Sequence, residues 1–125
     1  MSVLDLLLSA DRPDARKDLK TCEVEIPRLS TETDKAIFKV RQLTYDEYIN
    51  IRSLPESGQD FAIILSGVID PNLKDKKLLD ASRGIHTQDD LIRSLFTPGE
   101  ITKLIVKINS LSGYSASSVV DLKNE

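Results

Sequence analysis

The sequence predicts an α+β protein in which an N-terminal antiparallel β-hairpin packs against a bundle of short α-helices. Between Thr21 and Arg41, apolar and polar residues alternate, which is typical of half-buried strands. After Leu43, apolar residues recur at helical spacing behind capping residues. A chain of 125 residues fits one domain with a single core that needs no disulfide or metal.

The hairpin is predicted from two alternating runs. In residues 22–26, Cys22, Val24 and Ile26 alternate with glutamates, and residues 36–41 repeat the pattern with Ala36, Phe38 and Val40. The polar residues 30–35 between them indicate a loop. An isolated hairpin is barely stable, so its apolar face must be covered by helices.

The helices are predicted from their start signals. Thr44 with Glu47, and Thr97 with Glu100, fit capping boxes, and Thr87 is a further candidate N-cap. A loop is expected around residues 55–58, and a shorter helix around residues 78–79. The buried helical faces are expected to comprise Phe61, Ile64, Leu65 and Val68; Leu91, Ile92, Leu95 and Phe96; and Ile101, Leu104, Ile105, Ile108 and Leu111.

The domain organisation follows from the breaks in these patterns. Residues 1–114 are expected to form one compact α+β domain, in which residues 1–12 are a short apolar helix, either docked or mobile. Pro13 interrupts the chain after that helix. Gly113 suits a left-handed helix ending, with Tyr114 packing back. Residues 115–125 are small and polar and are expected to form a flexible tail.

The charge pattern disfavours nucleic acid as a partner. The chain has 17 basic and 20 acidic residues, a formal net charge of -3, and the two signs are interspersed. No segment approaches the roughly 20 apolar residues that span a bilayer, and the N-terminus lacks the basic region of a signal peptide. A cytoplasmic location without membrane contact is therefore predicted.

The inventory of reactive side chains is poor. His86 is the only histidine and Cys22 the only cysteine, and they lie in a predicted loop and on the apolar side of a predicted strand. Acidic pairs such as Asp89 and Asp90 lie in first helical turns, where capping accounts for them. The scattered glycines form no phosphate-binding loop. The sequence therefore predicts no enzyme, no catalytic or metal-binding residues and no cofactor.

Binding to another protein remains as the expected activity. Two apolar segments are least needed by the core, and either they cover that core or they contact a partner. The candidate partner-binding residues are Val3, Leu4, Leu7 and Leu8 in the N-terminal helix, and Val119, Val120 and Leu122 in the tail.

Several motifs in order resemble those of the XkdN-like phage tail assembly chaperones. They are the N-terminal apolar helix ending in residues 9–11, the strand pair before Leu43, and then residues 43–48, 67–75, 97–101 and 111–114. The resemblance implies a non-catalytic protein of a phage or defective prophage, acting in the bacterial host cell. It implies that the chain binds the tape measure protein, keeps this client soluble, and helps to recruit the tail tube protein.

Two other functions stay open at the level of sequence. The chain could be a small structural tail or connector protein that is retained in the finished particle. A small hydrolase or transferase is the third possibility, and the shortage of nucleophiles and bases disfavours it.

Overall fold

The computed structural model describes residues 2–81 and 84–122. Three strands form one sheet in the order β1-β2-β3, and helices pack on it, so the predicted α+β class is confirmed. A 3₁₀ turn covers Pro27–Leu29, and a π-helical turn covers Ser110–Tyr114. The elements are α1 Val3–Leu8, β1 Thr21–Glu25, β2 Ile37–Arg41, α2 Tyr45–Arg52, α3 Glu56–Gly67, β3 Val68–Asp70, α4 Lys76–Ala81, α5 Gln88–Leu95 and α6 Pro98–Asn109.

The hairpin has the predicted strands and an antiparallel register. Thr21 lies opposite Arg41, and Val24 lies opposite Phe38. The even-numbered residues of both strands face the helices, and Val40 is fully buried. The alternation in the sequence therefore places the apolar side chains on the core face, as expected.

Strand β3 was not predicted, and it corrects the expected helix boundary. Val68 was expected to be the last residue of a helical face. Instead α3 ends at Gly67, and Val68 is buried in β3, which pairs antiparallel with β2. A three-residue strand is too short to show an alternating pattern, and β-branched residues at its start favour extended backbone only weakly.

The predicted helix starts are confirmed. The Thr44 hydroxyl accepts a hydrogen bond from the Glu47 N–H at 3.2 Å, and the Glu47 carboxylate accepts one from the Thr44 N–H at 2.9 Å. Thr97 and Glu100 form the same reciprocal pair at the start of α6. Thr87 caps α5 through the Asp90 N–H, although its box is one-sided. Short-range capping chemistry was therefore visible in the sequence.

The loop predicted around residues 55–58 is wrong. Pro55 is the N-cap residue, and Ser57 and Gly58 lie in the first turn of α3. Proline is well suited to a helix start, because its φ is already close to the helical value. The proline and glycine therefore mark the beginning of a helix and not a connection between helices.

The core lies between the sheet and the helices α2, α3, α5 and α6. Helix α6 packs against α3 and against β2. The rings of Phe38 and Phe96 meet edge to face with centroids 5.6 Å apart, which joins β2 to the end of α5. The buried residues of this core are Ile26, Phe38, Val40, Leu43, Tyr48, Ile51, Ile64, Val68, Leu73, Ile92, Phe96, Leu104 and Ile108.

The end of α6 is fastened to the start of α2. Gly113 has a φ of 97°, the left-handed geometry that its position predicted. The Ser112 hydroxyl accepts from the Leu43 N–H at 2.9 Å and donates to the Ile108 carbonyl at 2.7 Å. Tyr114 packs edge to face on Tyr48, with ring centroids 5.5 Å apart. The turn after α6 is thus held by the Leu43 backbone N–H and the Tyr48 ring, both from the first half of the chain.

Candidate functional site

The N-terminal helix α1 exposes its apolar side chains on every side. Ser2 and Asp5 form a reciprocal capping box that starts this six-residue helix. The predicted residues Val3, Leu4, Leu7 and Leu8 are 60–73% exposed, and Leu6, which was not predicted, is 54% exposed. The exposure therefore extends around the helix beyond the single predicted face.

The predicted residues of the C-terminal segment are exposed as well. Val119 is 86% exposed, Val120 65% and Leu122 80%. They follow a serine-rich turn in which the Ser118 N–H bonds to the Ser115 carbonyl at 3.2 Å. Two alternatives were open for both apolar segments, covering the core or contacting a partner. In the structure neither segment covers the core. Their contact with a partner stays a prediction.

A groove that the sequence did not reveal lies between β1 and α6. Its volume is about 530 Å³. Val24, Ile26 and Leu104 form the apolar part of its lining, and Lys103 and Lys107 stand along the α6 side. The two lysines are one helical turn apart, so they lie on the same face of α6. The lining also includes Glu25 and Glu100, so the groove has an apolar interior and charged side chains of both signs.

One end of the groove is held by an ion pair. The Arg28 guanidinium, in the turn after β1, donates to both Glu100 carboxylate oxygens at 2.9–3.2 Å and also to the Leu95 carbonyl. The Arg28 hydrogen bonds, helped by the Thr97 N–H, lower the pKa of Glu100 to about 2. The pair links the turn after β1 to the start of α6, which positions the two walls relative to each other.

A second ion pair supports the start of α2. Arg41 at the end of β2 donates to both carboxylate oxygens of Glu47, at 2.6 and 2.9 Å. This contact is the largest cause that lowers the pKa of Glu47 to about 2. Because Glu47 also completes the Thr44 capping box, the charge pair stabilises the junction between β2 and α2.

The two candidate reactive residues occupy ordinary positions. Cys22 is half-buried on β1 and packs against the core. His86 is exposed in the loop before Thr87. Among residues 2–81 and 84–122, no three histidine, cysteine or acidic side chains form a group that could hold a metal ion. No helix in the same two ranges is long and apolar enough to cross a membrane.

The sequence contained only part of the signal for the groove. Lys103 and Lys107 at a spacing of four residues were visible, but which strand forms the free edge of the sheet was not. That edge depends on β3 pairing with β2 and leaving β1 open. The groove is therefore a consequence of strand order, which local patterns do not encode.

The fold and these surfaces define a small α+β protein that carries exposed apolar segments and an open groove beside its sheet. The family model of the phage XkdN-like tail assembly chaperone protein matches residues 4–123. The chain therefore belongs to the XkdN-like family of phage tail assembly chaperones. Neither a curated protein nor a solved structure matches it.

Proposed function

We propose that this phage tail assembly chaperone binds the tape measure protein through its exposed N-terminal helix and keeps that client soluble while the tail tube assembles. The observation that carries the proposal is the exposure of the apolar side chains of α1 beside a core that is already closed without them. A helix this short is marginal in water by itself, so burial against a partner would stabilise it.

The proposed contact is between apolar surfaces. Full burial of a leucine side chain contributes about 1.5–3 kcal/mol, so a few residues of α1 would supply useful affinity for an apolar helical client. Val119, Val120 and Leu122 are proposed as a second contact of the same kind. The role needs no catalytic residue, no cofactor, no nucleic acid and no membrane, and it belongs in the cytoplasm of the bacterial host.

The experiment is co-expression of the chain with an apolar helical fragment of the tape measure protein. The soluble fraction of the fragment and its co-elution on size exclusion are measured. In the double variant Leu4→Asp/Leu7→Asp we expect affinity for the fragment to fall about tenfold or more, because two apolar contacts are lost. The fragment should then move to the insoluble fraction.

The matched control is Tyr45→Asp/Val106→Asp. These residues are 75% and 61% exposed on α2 and α6, so the variant carries the same charge change on other helices. It should bind the fragment like the wild type. Equal binding by the α1 variant and the wild type would contradict the proposal. Detection of the chain in purified tails would favour the alternative of a structural tail or connector protein.

A further inference from the structure

Strand β1 is a free edge of the sheet. The Ile26 N–H bonds to the Ala36 carbonyl, and the Gln42 N–H bonds to the Lys20 carbonyl. With the register of the two strands, these bonds show that the even-numbered residues 20, 22, 24 and 26 form the hydrogen-bonded pairs with β2. In an antiparallel pair these bonds alternate, so Thr21, Glu23 and Glu25 direct their backbone N–H and C=O groups away from β2. Within the described part of the chain, those groups have no hydrogen-bond partner.

The open edge runs beside the groove. Val24 and Ile26 of β1 line the groove together with Leu104 of α6. A strand added to the edge of β1 would therefore lie over the groove, and every second side chain of that strand would point into it. Backbone pairing and side-chain pockets at the same place are the two requirements for recognition by strand addition.

The charges on the two faces of the sheet beside this edge indicate which residues the added strand should carry. Two carboxylates also line the groove, but Glu100 is bonded to Arg28 and Glu25 accepts from a serine hydroxyl. Lys103 and Lys107 therefore favour acidic residues next to apolar ones on the groove side. On the solvent face, Glu23 lies opposite Lys39, so a basic residue on the added strand would continue the alternation of charge across the sheet. We propose that β1 and α6 bind an extended segment of a partner protein whose inward residues are apolar and acidic and whose outward residues are basic.

A second copy of β1 is a poor occupant of the same edge. Pairing two β1 strands would bring glutamates at positions 23 and 25 of both copies onto one face, and like charges across strands are destabilising. The acidic outward residues thus act against self-pairing, a common device on exposed edges. This surface is separate from α1, so its test does not depend on the function proposed above.

The probe is a synthetic peptide of about nine residues, the length of a long strand. Its inward-facing residues are Glu, Val, Val and Glu in that order, and its outward-facing residues are Lys and Thr. It is titrated into the ¹⁵N-labelled full chain and followed by NMR. We expect a Kd of about 1 mM or tighter. The amides of Thr21, Glu23 and Glu25 should shift, and their hydrogen exchange should slow by about tenfold or more.

The decisive variant is Glu23→Pro. It removes an N–H that the β1–β2 ladder does not use, and an edge strand tolerates proline at such a position. Glu23→Thr is the matched control, because it removes the same charge and keeps the N–H. Binding of the peptide should weaken about tenfold or more in Glu23→Pro relative to Glu23→Thr, since the added strand loses a backbone bond and meets the ring.

The charge pattern has its own test. The variant Lys103→Glu/Lys107→Glu should weaken binding of the peptide and should bind a second peptide in which only the inward glutamates are replaced by lysines, because Glu23 still favours basic outward residues. Lys76→Glu/Lys77→Glu on α4 makes the same charge change on another helix and should leave both affinities unchanged. These variants test the contribution of the groove charges to peptide affinity, even if Glu23→Pro disturbs the fold.

Three results would overturn the inference. The first is equal binding of the peptide by Glu23→Pro and Glu23→Thr, with the fold of both intact. The second is a set of peptide-induced shifts that omits β1, or no shifts at about 5 mM peptide, where even millimolar binding would be visible. The third is self-association of the free chain through β1, which the like charges at the edge should prevent.

Discussion

Gly67 lies where α3 meets α6. A Cβ built at this position would overlap the side chain of Ile108, which is fully buried. The backbone of α3 can therefore approach α6 only because residue 67 has no side chain. Gly58, in the first turn of the same helix, has open space where its Cβ would lie.

We expect Gly67→Ala to lower the free energy of unfolding by about 1–3 kcal/mol, because the added methyl group forces Ile108 or the two helices apart. Gly58→Ala is the matched control and should be neutral or stabilise by up to about 1 kcal/mol through helix propensity. Urea unfolding followed by circular dichroism measures both. A similar effect of the two substitutions would show that α3 and α6 are less closely packed.

Glu47 links stability to pH. Its pKa is lowered to about 2 from the ordinary value of 4.5, mainly by hydrogen bonds from Arg41. A carboxyl group whose pKa is lower in the folded state stabilises the fold above its unfolded pKa, and this contribution is lost as pH falls from about 4.5 towards 2.

We therefore expect Glu47→Gln to lower the free energy of unfolding by about 1 kcal/mol at pH 7 and by much less near pH 2. The expected change is small because the ion pair between Arg41 and Glu47 is partly exposed and screened by solvent. Glu32→Gln, in the exposed loop between β1 and β2, is the control for loss of one carboxylate and should change the free energy of unfolding by no more than about 0.5 kcal/mol at pH 7. Urea titrations at both pH values provide the measurement, and a difference that stays constant with pH would be the contrary result.

At the scale of elements, the turn after α6 depends on one hydroxyl. Ser112 connects the Leu43 N–H, which follows β2, with the Ile108 carbonyl of α6. Tyr48 of α2 donates to Asn109, the last residue of α6, and burial raises the pKa of the Tyr48 phenol. A strand end, a helix start and a helix end are thus joined in a small network of hydrogen bonds.

Ser112→Ala should lower the free energy of unfolding by about 1–3 kcal/mol, because it leaves the Leu43 N–H without its acceptor in a part-buried place. Ser110→Ala, an exposed position in the same turn, should change the free energy by no more than about 0.5 kcal/mol. Chemical denaturation of both variants tests this. Equal stability of the two would mean that water replaces the lost hydroxyl.

At the scale of the whole molecule, the exposed segments stand apart from the core. The core extends from Ile26 to Ile108, whereas α1 and residues 119–122 expose their apolar side chains. We propose that the folding unit lies within residues 1–114 and that α1 is an appendage to it. Apolar residues kept outside a core add little to stability and are available to a partner.

Deletion of residues 1–10 should therefore change the free energy of unfolding by no more than about 0.5 kcal/mol. For comparison, Leu104→Ala in the core should cost about 2–5 kcal/mol, because it leaves a cavity between α6 and its neighbours. Thermal and urea unfolding measure both. A loss above about 1 kcal/mol on deletion would show that α1 packs on the core in solution.

Much of the fold was predictable from short-range patterns. Period-two alternation identified β1 and β2, and the pairs Thr44 with Glu47 and Thr97 with Glu100 identified two helix starts. The resemblance of ordered motifs to the tail assembly chaperones is confirmed by a family match over residues 4–123. These patterns involve residues no more than four positions apart, or a series of motifs in a fixed order. They can therefore be recognised from the sequence alone.

The tertiary structure decided the rest. Four features depend on which distant elements meet. Val68 joins a strand and not α3, and β1 keeps an open edge. Lys103 and Lys107 border a groove, and Gly67 must lack a side chain. Spacing along the chain specifies which side of an element is apolar, because side chains repeat with the period of the backbone. It does not specify which other element covers that side, because that choice is made by packing between residues far apart in sequence.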